Sequence, residues 1–164
     1  MLRRVNEQDV ARLYREYGYL VFRRCVVYLG DVTAAREVTR DVFVRALRNP
    51  TSFRAFADSR TWLCRVADTL CIDGLQRRHN LTASADTVLA SVIADDDLES
   101  LFLIRRVLAN LESDALRLAV LFYVDELNEE ELAEELGMSR RTVAKRVAEL
   151  LEHTRALTSQ RNAS

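Results

Sequence analysis

The sequence predicts an all-α protein made of two small helical domains joined by a short acidic linker. Three observations carry that prediction. Apolar residues recur at three- and four-residue spacing through most of the chain, which is the pattern of amphipathic helices. Only 4 Gly and 1 Pro punctuate 164 residues, too few turn residues for a set of short strands. Charge, finally, is unevenly placed. Residues 1–80 hold 15 Arg and Lys against 9 Asp and Glu, residues 81–100 hold none against 5, and residues 101–164 hold 9 against 11. The net charge of −1 therefore conceals a basic front, an acidic middle and a mixed rear. The expected organisation is a first domain over 1–80, a linker over 81–96 and a second domain over 97–164.

The front domain reads as three helices. The first follows Asn6, carries Val10, Leu13, Tyr14, Tyr17, Val21 and Cys25 on one face, and ends at Gly30. Asp31 can cap the second, whose apolar stripe is Ala35, Val38, Val42, Phe43 and Ala46, and Pro50 closes it. A loop over 49–58 holds Phe53 and Phe56. Ser59 can cap the third helix, with Trp62, Leu63, Val66, Ala67 and Leu70 inward and Arg77–Arg78 near its end. Trp62 shares the helical phase of Val66 and Leu70, which makes it a core residue.

Residues 79–96 shift to small and polar types and end in an acidic run at 95–97, the composition of a tether. Helices are then expected near 97–110, 114–124, 129–136 and 140–157, with Leu98, Leu101, Phe102, Leu108, Leu111, Leu116, Val120 and Tyr123 supplying a second core.

The segment NEEELAEELGMSRRTVAKR, residues 128–146, is the most specific signal in the chain. Asn128 and Glu131 have the spacing of a capping box, and Gly137 is placed to end a helix in a left-handed conformation. Ser139 then caps a second helix bearing Arg140, Arg141, Lys145 and Arg146. Leu132, Leu136, Met138, Val143 and Val147 would lock the two helices at an angle. That is a helix-turn-helix, whose second helix enters a DNA major groove. An ordinary helical hairpin has the same spacing without the cations.

Other chemistry finds little support. Cys25, Cys64 and Cys71 give an odd count without a CxxC pair, and Cys64 and Cys71 lie roughly 10 Å apart along a helix, beyond disulfide reach. His79 and His153 are remote from each other and from the cysteines. Neither a metal nor a cofactor is expected, nor a small-molecule substrate, and no nucleophile–base pair or phosphate loop marks an enzyme. An apolar run long enough for a bilayer is lacking and MLRRVNEQDV is not a signal peptide, so a cytoplasmic protein is expected.

The order of motifs resembles the extracytoplasmic-function group of bacterial RNA polymerase sigma factors, over about residues 10–155. GDVTAAREVTRDVFVRAL (30–47) is similar to the family's GDxxxAEDLxQExFxxAL, and RTWLCRVADTLCIDGLQRR (60–78) to a pattern close to RTWLYRIARNLALDxLRR. LESDALRLAVLFYVDELNEEELAEELGMSRRTVAKRV (111–147) is similar to LPxxxRxVxxLRYxxGLSxxEIAxxLGxSxGTVxSRL. The resemblance implies region 2 and region 4 domains without the middle domain of larger sigmas.

It implies partners too: core RNA polymerase, promoter DNA, and an anti-sigma factor, often membrane-linked, that holds the protein inactive. A polymerase-docking surface is implied at Arg40, Asp41, Val44, Arg45 and Arg48. The downstream (−10) element would meet the third helix and the loop before it, at Arg54, Phe56, Arg60, Arg65, Asp68, Arg77 and Arg78. The upstream (−35) element would meet Ser139, Arg140, Arg141, Thr142, Lys145 and Arg146. Bidentate Arg–guanine contacts discriminate bases by roughly 1–3 kcal/mol.

The chain departs from the family pattern at several positions. Asp68 stands where Asn is usual, and a carboxylate facing DNA would repel phosphate. Arg36 and Glu37 replace an acidic pair, Ala144 a common Lys, Glu126 a common Gly and Glu112 a common Pro. Glu149 and Glu152 thin the basic character of the last helix. Two other functions fit the same features: a sigma-like decoy that binds an anti-sigma factor without starting transcription, and an independent helix-turn-helix regulator.

Overall fold

The computed structural model describes residues 6–50, 58–79, 108 and 111–162. The expected linker at 81–96, the expected helix over 97–110 with Leu98, Leu101 and Phe102, and the residues Phe53, Arg54 and Phe56 lie outside the described residues. The chain divides into two units, Met1–Arg105 and Arg106–Ser164. Among the described residues no helix is long and apolar enough to cross a membrane.

Unit 1 is built on α1 (Glu7–Leu29), α2 (Val32–Arg48) and α3 (Ser59–His79). Helix α1 begins where its capping box dictates: Asn6 Oδ1 accepts from the Asp9 amide at 2.8 Å, and the Asn6 amide donates to Asp9 Oδ2 at 3.2 Å. It ends at Gly30, whose φ of 64° turns the chain into α2. Asp31 Oδ1 then accepts from the Ala34 amide at 3.0 Å, and α2 stops at Arg48 with Asn49 as its C-cap.

The cap of α3 differs from expectation. Ser59 is the first helical residue, and Asp58 is the cap, its carboxylate accepting from the Arg60 and Thr61 amides at 3.2 Å each and from the Thr61 hydroxyl at 2.7 Å. A carboxylate carries full charge toward the positive end of the helix, where a hydroxyl offers only a dipole.

The core of unit 1 joins all three helices: Val10, Leu13, Val21 and Cys25 from α1, Ala35, Val42, Phe43 and Ala46 from α2, and Trp62, Leu63, Ala67, Leu70 and Cys71 from α3. Trp62 is 5% exposed, the core position expected of it. Tyr14 departs from the expected stripe. It is 54% exposed and meets the core at its rim, over Gly18 and by an edge contact with Phe43, ring centroids 5.0 Å apart.

Unit 2 contains α4 (Ser113–Ala119), α5 (Glu129–Leu136) and α6 (Arg140–Asn162). The helix expected over 114–124 is α-helical only to Ala119. It continues as a π-helical turn, Val120–Val124, in which the Asp125 amide donates to the Val120 carbonyl at 3.2 Å. The wider turn ends the helix, and Glu126 follows at φ 55°. Helix α6 runs five residues beyond the expected 157. Leu108, Leu116, Leu118, Val120, Leu132, Val143, Val147 and Leu150 form the second core.

Candidate nucleic-acid and polymerase interfaces

The helix-turn-helix is held by the caps its sequence encodes. Asn128 Oδ1 accepts from the Glu130 and Glu131 amides at 3.0 Å each, while the Asn128 amide donates to Glu131 Oε2 at 2.9 Å. Gly137 sits at φ 63°, ψ 34°, and the Met138 amide reaches back to the Ala133 carbonyl at 3.0 Å. Ser139 Oγ then accepts from the Thr142 amide at 3.1 Å and starts α6. Leu132, Val143 and Val147 are buried between the helices, while Leu136 and Met138 are half-buried.

With that face inward, the rest of the first two turns of α6 is aimed outward. Arg140, Arg141, Thr142 and Lys145 are exposed. Arg141 and Lys145 stand one turn apart on the line farthest from the core. Arg140 lies to one side, its guanidinium 3.9 Å from Glu130, and Lys145 Nζ is 3.9 Å from Glu149. Among the described residues Arg141 alone of these three cations has no carboxylate partner. Ser139 and Thr142 share a hydroxyl–hydroxyl hydrogen bond of 2.8 Å. Arg146 is half-buried and lines a cleft of about 360 Å³ with Leu118, Glu149, Leu150 and His153. The acidic residues of α5 stay on the supporting helix, where Glu135 pairs with Arg117 at 3.7 Å.

In unit 1 the five α2 residues expected at a docking surface come together. Arg40, Asp41, Arg45 and Arg48 are exposed and Val44 is half-buried. At 100° per residue they fall within an arc of about 140° opposite Ala35, Thr39, Val42 and Ala46. The α3 residues do not share a face. Arg60, Arg65 and Arg77 are exposed, but Arg65 lies about 140° round the helix from Arg60 and Arg77 about 120° beyond that.

Asp68 requires a correction. Expected on a DNA-facing surface, it is 2% exposed and faces Arg24, itself 2% exposed. Arg24 Nε donates to Asp68 Oδ1 at 2.5 Å and Nη2 to Oδ2 at 2.9 Å, a bidentate pair inside the core. The carboxylate is neutralised within the protein and meets no phosphate. Next to it, burial and then Asp68 push the Tyr28 phenol well above its ordinary range. Cys25 and Cys71, 46 positions apart, also meet here. The hydrogen bond with Cys25, followed by burial, pushes the Cys71 thiol far up. Sequence spacing carries no signal for either pairing, since both join α1 to α3 across the core.

Among the described residues no group of three His, Cys, Asp or Glu side chains is placed to hold a metal ion.

A capped helix-turn-helix with its cations outward, in a chain whose other unit shows three helices among the described residues, defines a DNA-binding protein of the two-unit type. Comparison with known proteins gives the family. The Sigma-70 region 2 family matches residues 13–80 and the ECF sigma factor family matches residues 71–161. This chain belongs to the ECF sigma factor family.

It is 28% identical over 155 residues to the ECF RNA polymerase sigma factor SigW of Bacillus subtilis, covering 85% of this chain and 81% of that one. The ferric citrate uptake sigma factor FecI of Escherichia coli is 29% identical over 128 residues, 73% of each chain. The fold is similar to CnrH in its complex with the cytosolic domain of CnrY, with a TM-score of 0.67 at 20% identity over 94% of this chain and 90% of that one. It is equally similar, at TM-score 0.67 and 14% identity over 93% and 98%, to the sigma factor RpoE of Bartonella quintana in complex with the anti-sigma factor NepR.

Proposed function

We propose that this sigma factor docks on core RNA polymerase through the outer face of α2 and reads the upstream promoter element with the first two turns of α6. The observation that carries the reading is the outward line of Arg141 and Lys145 on a helix whose entry is fixed by Gly137 and Ser139. Arg141, exposed and without a carboxylate partner among the described residues, is positioned for a bidentate base contact. Arg140 beside Glu130, together with Ser139 and Thr142 at the helix N-terminus, suits phosphate. Arg146, turned to the cleft, takes a supporting place.

The downstream element falls to α3 and the segment before it. Arg60 and Arg65 are the exposed cations there, with Arg77 near the far end, and Arg54, Phe56 and Arg78 complete the proposal from sequence. Asp68 is withdrawn from it. Its burial removes one of the two features that favoured a decoy, leaving only the weakly acidic rear domain, so a working initiator is the better reading. Bond formation belongs to the polymerase, and the site of action is the cytoplasm. An anti-sigma factor is the proposed inhibitor, in keeping with the Bartonella relative solved with one.

Run-off transcription on fragmented host DNA, with core polymerase in the presence and absence of this chain, tests the proposal. Discrete new starts preceded by two shared, spaced elements are expected, and Arg141→Ala should relax selection at one upstream position. The absence of new starts beside an active reference sigma factor would sink it.

A further inference from the structure

Two acids stand beside the cations of α6 without helping to hold the fold. Glu130, in the first turn of α5, lies 3.9 Å from Arg140, and Glu149, one turn after Lys145 on α6, lies 3.9 Å from it. All four side chains are 61–78% exposed, and pairs so open to water contribute little to stability. The turn between the helices is already fixed by Asn128, Gly137 and Ser139. Neighbouring acids differ. Glu131 completes the capping box, and Glu135 ties α5 to Arg117. Among the described residues the carboxylates of Glu130 and Glu149 pair with no other cation.

What the two pairs do change is the charge offered to DNA. Duplex affinity comes largely from cations that displace counter-ions at phosphates, each worth about 0.9 in the slope of affinity against salt. A cation that already has a carboxylate beside it must give that partner up before it meets a phosphate. Arg140 and Lys145 are in this state, and Arg141 is not. Arg141, Lys145 and Glu149 also follow one another at four-residue steps, about 6 Å each, nearly in line on the exposed side of α6. The line passes from an unpaired cation to a paired one and then to an acid, so its attraction for phosphate fades along the helix.

We propose that Glu130 and Glu149 are positioning residues that restrain Arg140 and Lys145. Helix α6 then cannot hold a duplex on charge alone, and its grip depends on the base contact of Arg141. The inference rests on the placing of α6 against duplex DNA and adds the residues that set the strength of that contact.

Anisotropy of a fluorescein-labelled duplex of mixed sequence, titrated with the full chain over a series of salt concentrations, tests it. Glu149→Gln should tighten binding about threefold or more and steepen the salt dependence by about one phosphate contact. Glu130→Gln should act likewise through Arg140, and Glu149→Asp, which keeps the charge, should stay near the parent. In a Lys145→Ala background the gain from Glu149→Gln should vanish, since the acid acts through that cation. Circular dichroism and melting should not separate the Gln variants from the parent. Unchanged binding in both Gln variants, while Arg141→Ala weakens it, overturns this inference alone. A gain that persists without Lys145 overturns it too, by assigning the effect to the overall charge of unit 2. Unchanged binding in Arg141→Ala overturns the placing of α6 itself, and this inference with it.

Discussion

Asp68 shows how far one residue's meaning depends on its surroundings. Read along α3 it is a carboxylate where relatives carry an amide; read across the core it is the counter-ion of Arg24. Restoring the family residue should therefore harm the protein. Asp68→Asn leaves a buried guanidinium without its charge partner, and we expect a loss of about 3–5 kcal/mol in urea-induced unfolding of unit 1. An unchanged midpoint would mean that Arg24 finds another counter-charge.

Glu126 is the opposite case. It holds φ 55° at a position where the family pattern has Gly, a conformation that costs a side-chain-bearing residue about 1–2 kcal/mol. Glu126→Gly removes that strain against a smaller loss of unfolded-chain entropy, so the variant should unfold at slightly higher urea. The sequence comparison marked this position, and the backbone supplies the reason.

At the scale of elements, what could be read in advance was what local chemistry decides. Asn6, Asn128 with Glu131, and glycines 30 and 137 sit where a helix must start or stop, and each does so in the structure. The outward placement of Arg40, Asp41, Arg45 and Arg48 on α2 follows from the same periodicity. Local rules failed where two residues compete or where a distant partner decides. Asp58 and Ser59 are both good caps one position apart, and the register of Trp62 and Leu63 against the core selects Asp58. The apolar spacing of Tyr14 suited burial, but its ring lies at the rim of the core, over Gly18 and the edge of Phe43, and stays half exposed. The π-helical turn at 120–124 and the Arg24–Asp68 and Cys25–Cys71 pairings leave no periodic trace at all.

The cap of α3 has a pH signature. The hydrogen bond from the Thr61 hydroxyl, joined by those of the Arg60 and Thr61 amides, outweighs the opposing effect of burial and holds the Asp58 carboxyl below its ordinary value of 3.8. A carboxyl lowered on folding stabilises above its unfolded value and loses that contribution as the pH falls through the folded one. Asp58→Ala should thus cost about 1 kcal/mol at neutral pH, with the difference from the parent fading as the pH falls through the lowered carboxyl value. Urea titrations across pH 2–7 would show it, and a gap that persists in acid would assign the stabilisation to packing instead.

The whole molecule joins a basic front to a rear domain with 9 cations against 11 acids. Duplex binding is driven largely by phosphate neutralisation, and such a rear domain offers little of it. The chain alone should bind a promoter fragment weakly at physiological salt and lose that binding steeply as salt rises. Selective, tight binding is expected only with core polymerase present, and fluorescence anisotropy at two salt concentrations compares the two. Tight, selective binding by the chain alone would instead indicate an independent regulator.

The three thiols have a practical consequence. Cys25 and Cys71 are sealed in the contact between α1 and α3, whereas Cys64, about two turns earlier along α3, is only half-buried. A thiol sealed in the core is out of reach of alkylating and disulfide reagents. The native chain should therefore consume one equivalent of such a reagent promptly and two more only as unit 1 opens. The slow phase times that opening without an added probe, turning the molecule into its own stopwatch.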